Sequence, residues 1–228
     1  MSLFKMVQVR SGNLSRIAVA AVSVWFSSQS AQANFLLNGS FESPVIAPAA
    51  GVGIVSGATI GAGWVTDTGN SVLLGTQYGG GVPGGFWPGA SDGNAYLFMG
   101  NSASAGAIHQ DLALNANSYT LTFDLANFLG GFNGNGAKVS VNIINLGNST
   151  SVLGAPQVFT RPVLGNYAAQ SLSFSLPNAG NYRVSVTSAS GFGSNVDKFD
   201  LSVVPEPSAL TLLGSSLLLG FLFKPRRA

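Results

Sequence analysis

The sequence has no cysteine, little charge and a single histidine, and each shortage excludes a class of protein. Without cysteine there can be neither a disulfide framework nor a thiolate metal site. One histidine, His109, is too few for a zinc site, which needs several His, Cys or carboxylate ligands. No nucleophile elbow or cysteine accompanies it, so we interpret His109 as a structural or surface residue rather than a catalytic base.

Charge is scarce and unevenly distributed. Only 8% of the residues are charged, against roughly a quarter in an average soluble domain. Three basic residues lie in the first sixteen and three in the last five, which explains the sequence pI of about 9.1. Between Arg16 and Lys224 there are four basic and eight acidic residues, a net charge of −4. A nucleic-acid-binding domain would need a basic patch on its folded part, so we exclude that class.

The middle of the chain predicts an all-β domain. Its 30 glycines, with many Asn and Ser, disfavour helices and favour turns. Apolar and polar residues alternate in several short runs, as in antiparallel sheets with one buried face. We expect strands at 35–38, 95–99, 107–112, 119–125, 139–143, 172–176, 182–186 and 199–203, forming a β-sandwich. Residues 44–63 and 76–93 are expected to be long loops.

The N-terminus, residues 1–33, has the pattern of a secretory signal peptide. Lys5, Arg10 and Arg16 precede an apolar run at 17–26, which is too short to span a bilayer. Ala31 and Ala33 form an A-x-A cleavage site, and cleavage after Ala33 would leave Asn34 as the first mature residue. We therefore expect a signal helix, export through the Sec machinery and a sandwich domain over 34–203.

The C-terminus, residues 204–228, has the pattern of a short membrane anchor. Pro205, Glu206 and Pro207 lead into an apolar run at 209–223, which Lys224, Arg226 and Arg227 follow. Prolines keep the lead extended, and the basic end predicts that the sandwich lies outside the cytoplasm. The run is shorter than the ~20 residues that span a bilayer comfortably, so we expect a short transmembrane helix.

This C-terminal order of features resembles the PEP-CTERM sorting signal of Gram-negative bacteria that make extracellular polysaccharide. Val204-Pro-Glu-Pro207, the apolar run and the terminal Lys-Pro-Arg-Arg correspond to its three parts. The resemblance implies processing by an exosortase at Pro205, Glu206 and Pro207. It also implies transient anchoring in the inner membrane, followed by delivery to the cell surface or extracellular matrix.

Three further stretches resemble galactose-binding-like jelly rolls, the fold of many carbohydrate-binding modules. They are Phe35-Leu-Leu-Asn-Gly-Ser-Phe-Glu42, Ile108–Leu112 with Tyr119–Phe123, and Val196-Asp-Lys-Phe-Asp-Leu201. The resemblance implies an antiparallel jelly-roll sandwich and a structural Ca²⁺ that joins the first strand to the last, with Glu42 and Asp197 as ligands. The alternative for these two carboxylates is hydrogen bonding to turns.

Aromatic residues in or beside the loops are candidates for stacking on sugars. Tyr78 and Trp87 are the surface candidates, whereas Trp64 is expected in the core; the alternative is that all of them plug the sandwich ends.

The paired carboxylates of a glycosidase would come from Asp92, Asp111, Asp124, Asp197 and Asp200, none of which has a catalytic signature. We therefore expect a non-enzymatic surface or matrix protein that can contact polysaccharide. The alternatives are a carbohydrate-binding module with a defined glycan and an extracellular polysaccharide hydrolase.

Overall fold

The computed structural model describes residues 34–47, 51–68, 71–75, 89–100, 105–127, 136–162, 165–188 and 194–205. Within these ranges the chain forms strands and connections without a helix, and so contains no helix able to cross a membrane. The strands are β1 (Gly51–Ile54), β2 (Thr59–Ile60), β3 (Trp64–Thr68), β4 (Ser71–Gly75), β5 (Ala95–Met99), β6 (Ala107–Leu114), β7 (Asn117–Asn127), β8 (Ala137–Asn145), β9 (Thr150–Ser151), β10 (Gln157–Arg161), β11 (Ala168–Leu176), β12 (Gly180–Ser188) and β13 (Ser194–Val203).

The strands form two sheets in which every described pair is antiparallel. One sheet has six strands in the order β1-β4-β5-β13-β7-β11. The other has seven, in the order β10-β8-β12-β6-β3-β2 with β9 paired to β8. The prediction of an all-β fold of antiparallel sheets is therefore confirmed for the described residues.

The sheets pack face to face around one apolar core, because alternate residues of each strand point inward. The ring centroids of Trp64 on β3 and Phe199 on β13 are 5.2 Å apart, as are those of Phe123 on β7 and Phe159 on β10. Each pair joins one sheet to the other. Trp64 is fully buried, as predicted.

The first described residues do not form the strand expected at 35–38; that prediction is wrong. The Asn34 side chain accepts a hydrogen bond from the Leu36 amide, and Asn38 has a φ of +53°, so the backbone turns. The segment instead contacts both sheets: Asn34 Nδ2 donates to the Phe199 carbonyl, and the Leu37 amide donates to Gln110 Oε1. Local side-chain hydrogen bonds here compete with strand pairing.

The prediction of a long loop at 44–63 is also wrong in part, because this stretch contains β1 and β2.

Several predicted features lie outside the described residues. These are the signal with Ala31 and Ala33, most of the expected loop at 76–93 with Tyr78 and Trp87, and the tail from Glu206 and Pro207 onward; Pro205 is the last described residue.

Candidate functional site

A group of polar side chains lies on the outer face of the six-stranded sheet, near the start of β13. Leu97, Leu125 and Val196 point into the core, so their strand neighbours point outward. These outward neighbours include fully buried residues, which is unusual for the solvent side of a sheet. We call the group the polar cluster, defined as Tyr96, Asp124, Tyr167, Asn195 and Asp197.

Strand register brings the cluster together. Asp124 on β7 pairs with Asp197 on β13, and Asn195 pairs with Ala126, whose side chain is only a methyl group. Tyr167 directly precedes β11, whose first residue pairs with Leu125 on β7. Burial raises the pKa of Tyr167, and the neighbouring Asp197, Tyr96 and Asp124 raise it further. That coupling agrees with the close approach that the register gives.

Four polar atoms of the cluster are buried and have no hydrogen-bond partner among the described residues: the amide nitrogen and oxygen of Asn195 and the hydroxyls of Tyr96 and Tyr167. Neither Asn195 nor Tyr96 has any exposed surface. Buried polar side-chain atoms are mostly hydrogen-bonded in native proteins, and each exception needs an explanation. Burial also raises the pKa of Tyr96, so both phenols stay protonated and are available as donors.

The cluster extends from the surface inward. Ala169 is exposed, Asp124 and Tyr167 are half-buried, and Asn195 is fully buried. Among the described residues Asp124 has no hydrogen bond or ion pair, so its carboxylate oxygens are free to accept. The amide of Asn195 both donates and accepts, and each phenol donates. Together these groups match a small uncharged ligand that bears hydroxyls.

Asp197 has a structural role within the cluster. Its Oδ2 accepts hydrogen bonds from the Ser91 amide (2.7 Å), the Ser91 hydroxyl (3.1 Å) and the Asp92 amide (3.0 Å). Its Oδ1 accepts one from the Lys198 amide at 2.7 Å. Burial raises the pKa of Asp197 to about 7, although these hydrogen bonds act to lower it. Because four donors occupy its two oxygens, Asp197 holds the neighbouring backbone rather than offering free acceptors to a ligand.

Glu42 contacts the same segment as Asp197 but at its other end. Glu42 Oε1 accepts hydrogen bonds from the amides of Asn94 (2.6 Å) and Ala95 (2.8 Å). Gly93 lies between the residues that Asp197 binds and those that Glu42 binds. It has a φ of +68°, and a Cβ there would collide with the Glu42 carboxylate. The two predicted calcium ligands therefore hold residues 91–95 through hydrogen bonds to backbone. The described residues include no group of three or more His, Cys, Asp or Glu that could hold a metal ion, and calcium binding stays a prediction.

The outer face of the seven-stranded sheet carries a His109–Asp67 hydrogen bond and an Arg183–Asp111 ion pair. His109 Nδ1 lies 2.5 Å from Asp67 Oδ1, and Arg183 binds Asp111 through two hydrogen bonds of 2.7 and 2.9 Å. The pair register between β3 and β6 shifts at Asp67, and such a bulge redirects a side chain. Ser185 lies opposite His109, and no hydrogen bond between these two described side chains completes a triad.

Sequence reasoning missed Asp67, Tyr96, Tyr167 and Asn195. The alternation Asn195-Val196-Asp197 shows which side chains leave the core face. It does not show that an outward asparagine is buried, because that depends on segments distant in sequence. The bulge at Asp67 likewise has no signal in the alternation of β3.

No protein-family model and no curated protein matches this chain. One solved structure that this chain resembles is the enzymatically active domain of tailspike protein 4 of bacteriophage CBA120. The two are 14% identical over 75% of this chain, with a TM-score of 0.47, and the match spans only 21% of that structure. A xylan-binding domain from carbohydrate-binding module family 22 is 14% identical and covers 75% of this chain and 96% of that one, with a TM-score of 0.46.

A third solved structure is the C-terminal family 22 carbohydrate-binding module of Clostridium thermocellum Xyn10B. It is 14% identical and covers 76% of this chain and 97% of that one, with a TM-score of 0.45. Carbohydrate-binding modules with jelly-roll folds are thus among the solved structures that this chain resembles.

Proposed function

We propose that this chain is an exported, non-enzymatic protein of the cell surface or extracellular matrix that binds an uncharged glycan at the polar cluster. One observation carries the proposal: Asn195 is fully buried, while within the described part of the chain both polar atoms of its side-chain amide lack a partner. An unsatisfied buried amide costs about 1–3 kcal/mol. A ligand hydroxyl that both donates and accepts would recover that free energy.

The chemistry of the cluster favours a neutral sugar over other ligands. Ligand sites combine aromatic surface with a few convergent polar groups, and here Tyr96 and Tyr167 accompany the Asn195 amide and the Asp124 carboxylate. The half-buried Asp124 carboxylate repels anionic groups, which disfavours phosphates and acidic polysaccharides. Vicinal hydroxyls of a neutral sugar can donate to Asp124 while they accept from a phenol or from the amide.

The absence of enzymatic activity is part of the proposal. Hydrolysis of a glycoside needs two carboxyl groups that both reach the substrate. Asp124 and Asp197 lie opposite each other, but Asp197 is buried beneath four donors. Asp67 is bound to His109 and Asp111 is held in an ion pair with Arg183. A turnover assay on the host's own polysaccharide decides this point, and release of reducing ends would refute it.

Export and sorting rest on the sequence of the two termini. The signal pattern ending at Ala33 supports Sec export, and the Pro205-Glu206-Pro207 lead with its apolar run and basic end supports processing by an exosortase. The middle of the chain, with its net negative charge, then belongs outside the cytoplasm.

Binding of the intact protein to immobilised neutral polysaccharides, including the host's own, tests the glycan proposal. Asn195→Leu removes the amide at similar volume and is expected to abolish binding. Asn181→Ala is the matched control, because Asn181 is exposed on the other sheet and should bind normally. Trp87→Ala separates this site from the loop aromatics: loss of binding in Trp87→Ala with full binding in Asn195→Leu would overturn the assignment to the cluster.

A further inference from the structure

The four edge strands of the sandwich differ greatly in length. In the seven-stranded sheet the edges are β2, of 2 residues, and β10, of 5. In the six-stranded sheet one edge is β1, of 4 residues, and the other is β11, of 9. Short edge strands are a common way to prevent unwanted pairing with other chains. Three of these edges have that protection and β11 lacks it.

β11 has no charge, proline or bulge that would block pairing, and among its described backbone carbonyls that of Ala168 accepts a side-chain hydrogen bond, from Gln170 Nε2 at 3.0 Å. Its sequence, Ala-Ala-Gln-Ser-Leu-Ser-Phe-Ser-Leu, contains no charged residue and no proline. Its register with β7 is continuous over nine pairs, from Ala168 to Leu176, without a bulge. Among the described residues β7 is its only paired strand. Every second residue of an edge strand directs its backbone N–H and C=O away from the sheet, so β11 presents a row of pairing groups.

We propose that β11 is a self-association edge, which pairs antiparallel with β11 of a second copy of this chain. Antiparallel pairing of identical strands gives a closed two-fold contact rather than an open fibre. With the two-fold axis at Leu172, each Leu172 lies opposite its own copy, and Ser171 lies opposite Ser173 of the other chain. Two six-stranded sheets would then join into one continuous sheet.

Side-chain chemistry favours a second copy over another partner. On the inner side this register sets Leu172 against Leu172, Ala168 against Leu176 and Gln170 against Phe174, and it covers the part of Leu172 that is still exposed. On the outer side it sets Ser171 against Ser173 and Ala169 against Ser175. The β7–β11 pair already contains such contacts: the hydroxyls of Ser118 and Ser175 are 2.8 Å apart. With no charge in β11, two copies meet without repulsion.

The expected contact is weak. One strand pair buries less surface than the roughly 1,200–2,000 Å² of stable interfaces, so we expect dimers that form with increasing concentration. None of the five polar-cluster residues lies within β11, although Tyr167 directly precedes it. The contact is made by backbone pairing along β11 and is proposed independently of glycan binding.

Cysteine cross-linking tests the register directly, because the chain has no cysteine of its own. In Ser171→Cys/Ser173→Cys, the paired edges bring each cysteine opposite its counterpart, within disulfide reach. The matched control is Thr120→Cys/Thr122→Cys, with the same spacing and the same outward direction on β7, one strand in from the edge. After mild oxidation of the full chain in non-ionic detergent, we expect covalent dimers from the edge variant only. Equal dimer yields from both variants, or none from either, would overturn the proposal.

Sedimentation provides a second readout that needs no oxidation. Ser171→Lys/Ser173→Lys sets four lysines around the two-fold axis and should keep the chain monomeric at concentrations where the wild type dimerises. Thr120→Lys should leave dimerisation unchanged. Equal thermal midpoints would show that both variants are folded. A wild type that stays monomeric at every concentration, or a lysine variant that still dimerises, would contradict the inference.

Discussion

Asp124 and Asp197 lie directly opposite each other on β7 and β13, with Asp197 fully buried and Asp124 half-buried. Like charges in this position destabilise a sheet. Four hydrogen-bond donors surround the buried carboxylate, yet burial still raises the pKa of Asp197 to about 7. The buried Asp197 therefore makes the stability of the fold depend on pH.

The stability should fall as the pH rises from about 4.5 to 8. The folded chain retains the proton of Asp197 up to its raised pKa, whereas the unfolded chain loses it near 4, so deprotonation favours unfolding across this range. The contribution is complete below about 4 and is lost as the pH passes about 7. Thermal unfolding in a pH series measures the decline, on the order of a few kcal/mol.

Asp197→Asn is the control for that pH series. Asparagine does not titrate, so its profile should be flat where the wild type declines, whatever its absolute stability. Parallel profiles for the two proteins would show that Asp197 is not the titrating group.

Glu42 should stabilise the fold through the segment at 91–95. Glu42→Ala leaves the Asn94 and Ala95 amides without their acceptor, and we expect a loss of about 1–3 kcal/mol in chemical denaturation. Glu42→Gln retains one acceptor oxygen and should lose less. Asp200→Ala is the matched control, since Asp200 has no partner among the described residues. Equal effects of the Glu42→Ala and Asp200→Ala changes would contradict this role for Glu42.

The sequence predicts the sheets far better than the cluster. Alternation locates β7, β8, β11, β12 and the last part of β13, because apolar residues recur at every second position over most of each stretch. It gives no signal for the register shift between Asp197 and Asp200, where β13 changes the face that its residues present. It fails at 35–38, where Asn34 and Asn38 divert the backbone through their own side chains. It also cannot identify Asn195, since an outward position is buried only when distant segments cover it.

The calcium prediction for Glu42 and Asp197 has its own measurement. Glu42 Oε2 makes no hydrogen bond within the described residues and is the atom available to a cation. If Ca²⁺ binds the folded chain, adding a chelator lowers the thermal midpoint, by the equivalent of about 2.7 kcal/mol when the ion had been present at a hundredfold its Kd. Glu42→Gln should lose most of this response. A wild-type midpoint that does not change with chelator would refute calcium binding.

Processing of the tail predicts a defined mass for the protein taken from its native host. Cleavage at the Pro205-Glu206-Pro207 motif, together with removal of residues 1–33, should give a polypeptide from Asn34 to the neighbourhood of Pro207. Intact-mass spectrometry detects this directly, with the chain expressed without an exosortase as the reference. Retention of Lys224 to Ala228 in the native host would indicate a permanent anchor instead.

Thermal unfolding with and without a bound neutral glycan tests the role of Asn195 most directly. Without glycan, Asn195→Leu removes an unsatisfied amide and should equal or exceed the wild type in stability. With saturating glycan, the wild-type midpoint should rise, by linkage to binding, and that of Asn195→Leu should not. A variant that is destabilised without glycan, or that gains as much stability from glycan as the wild type, would contradict glycan binding at the polar cluster.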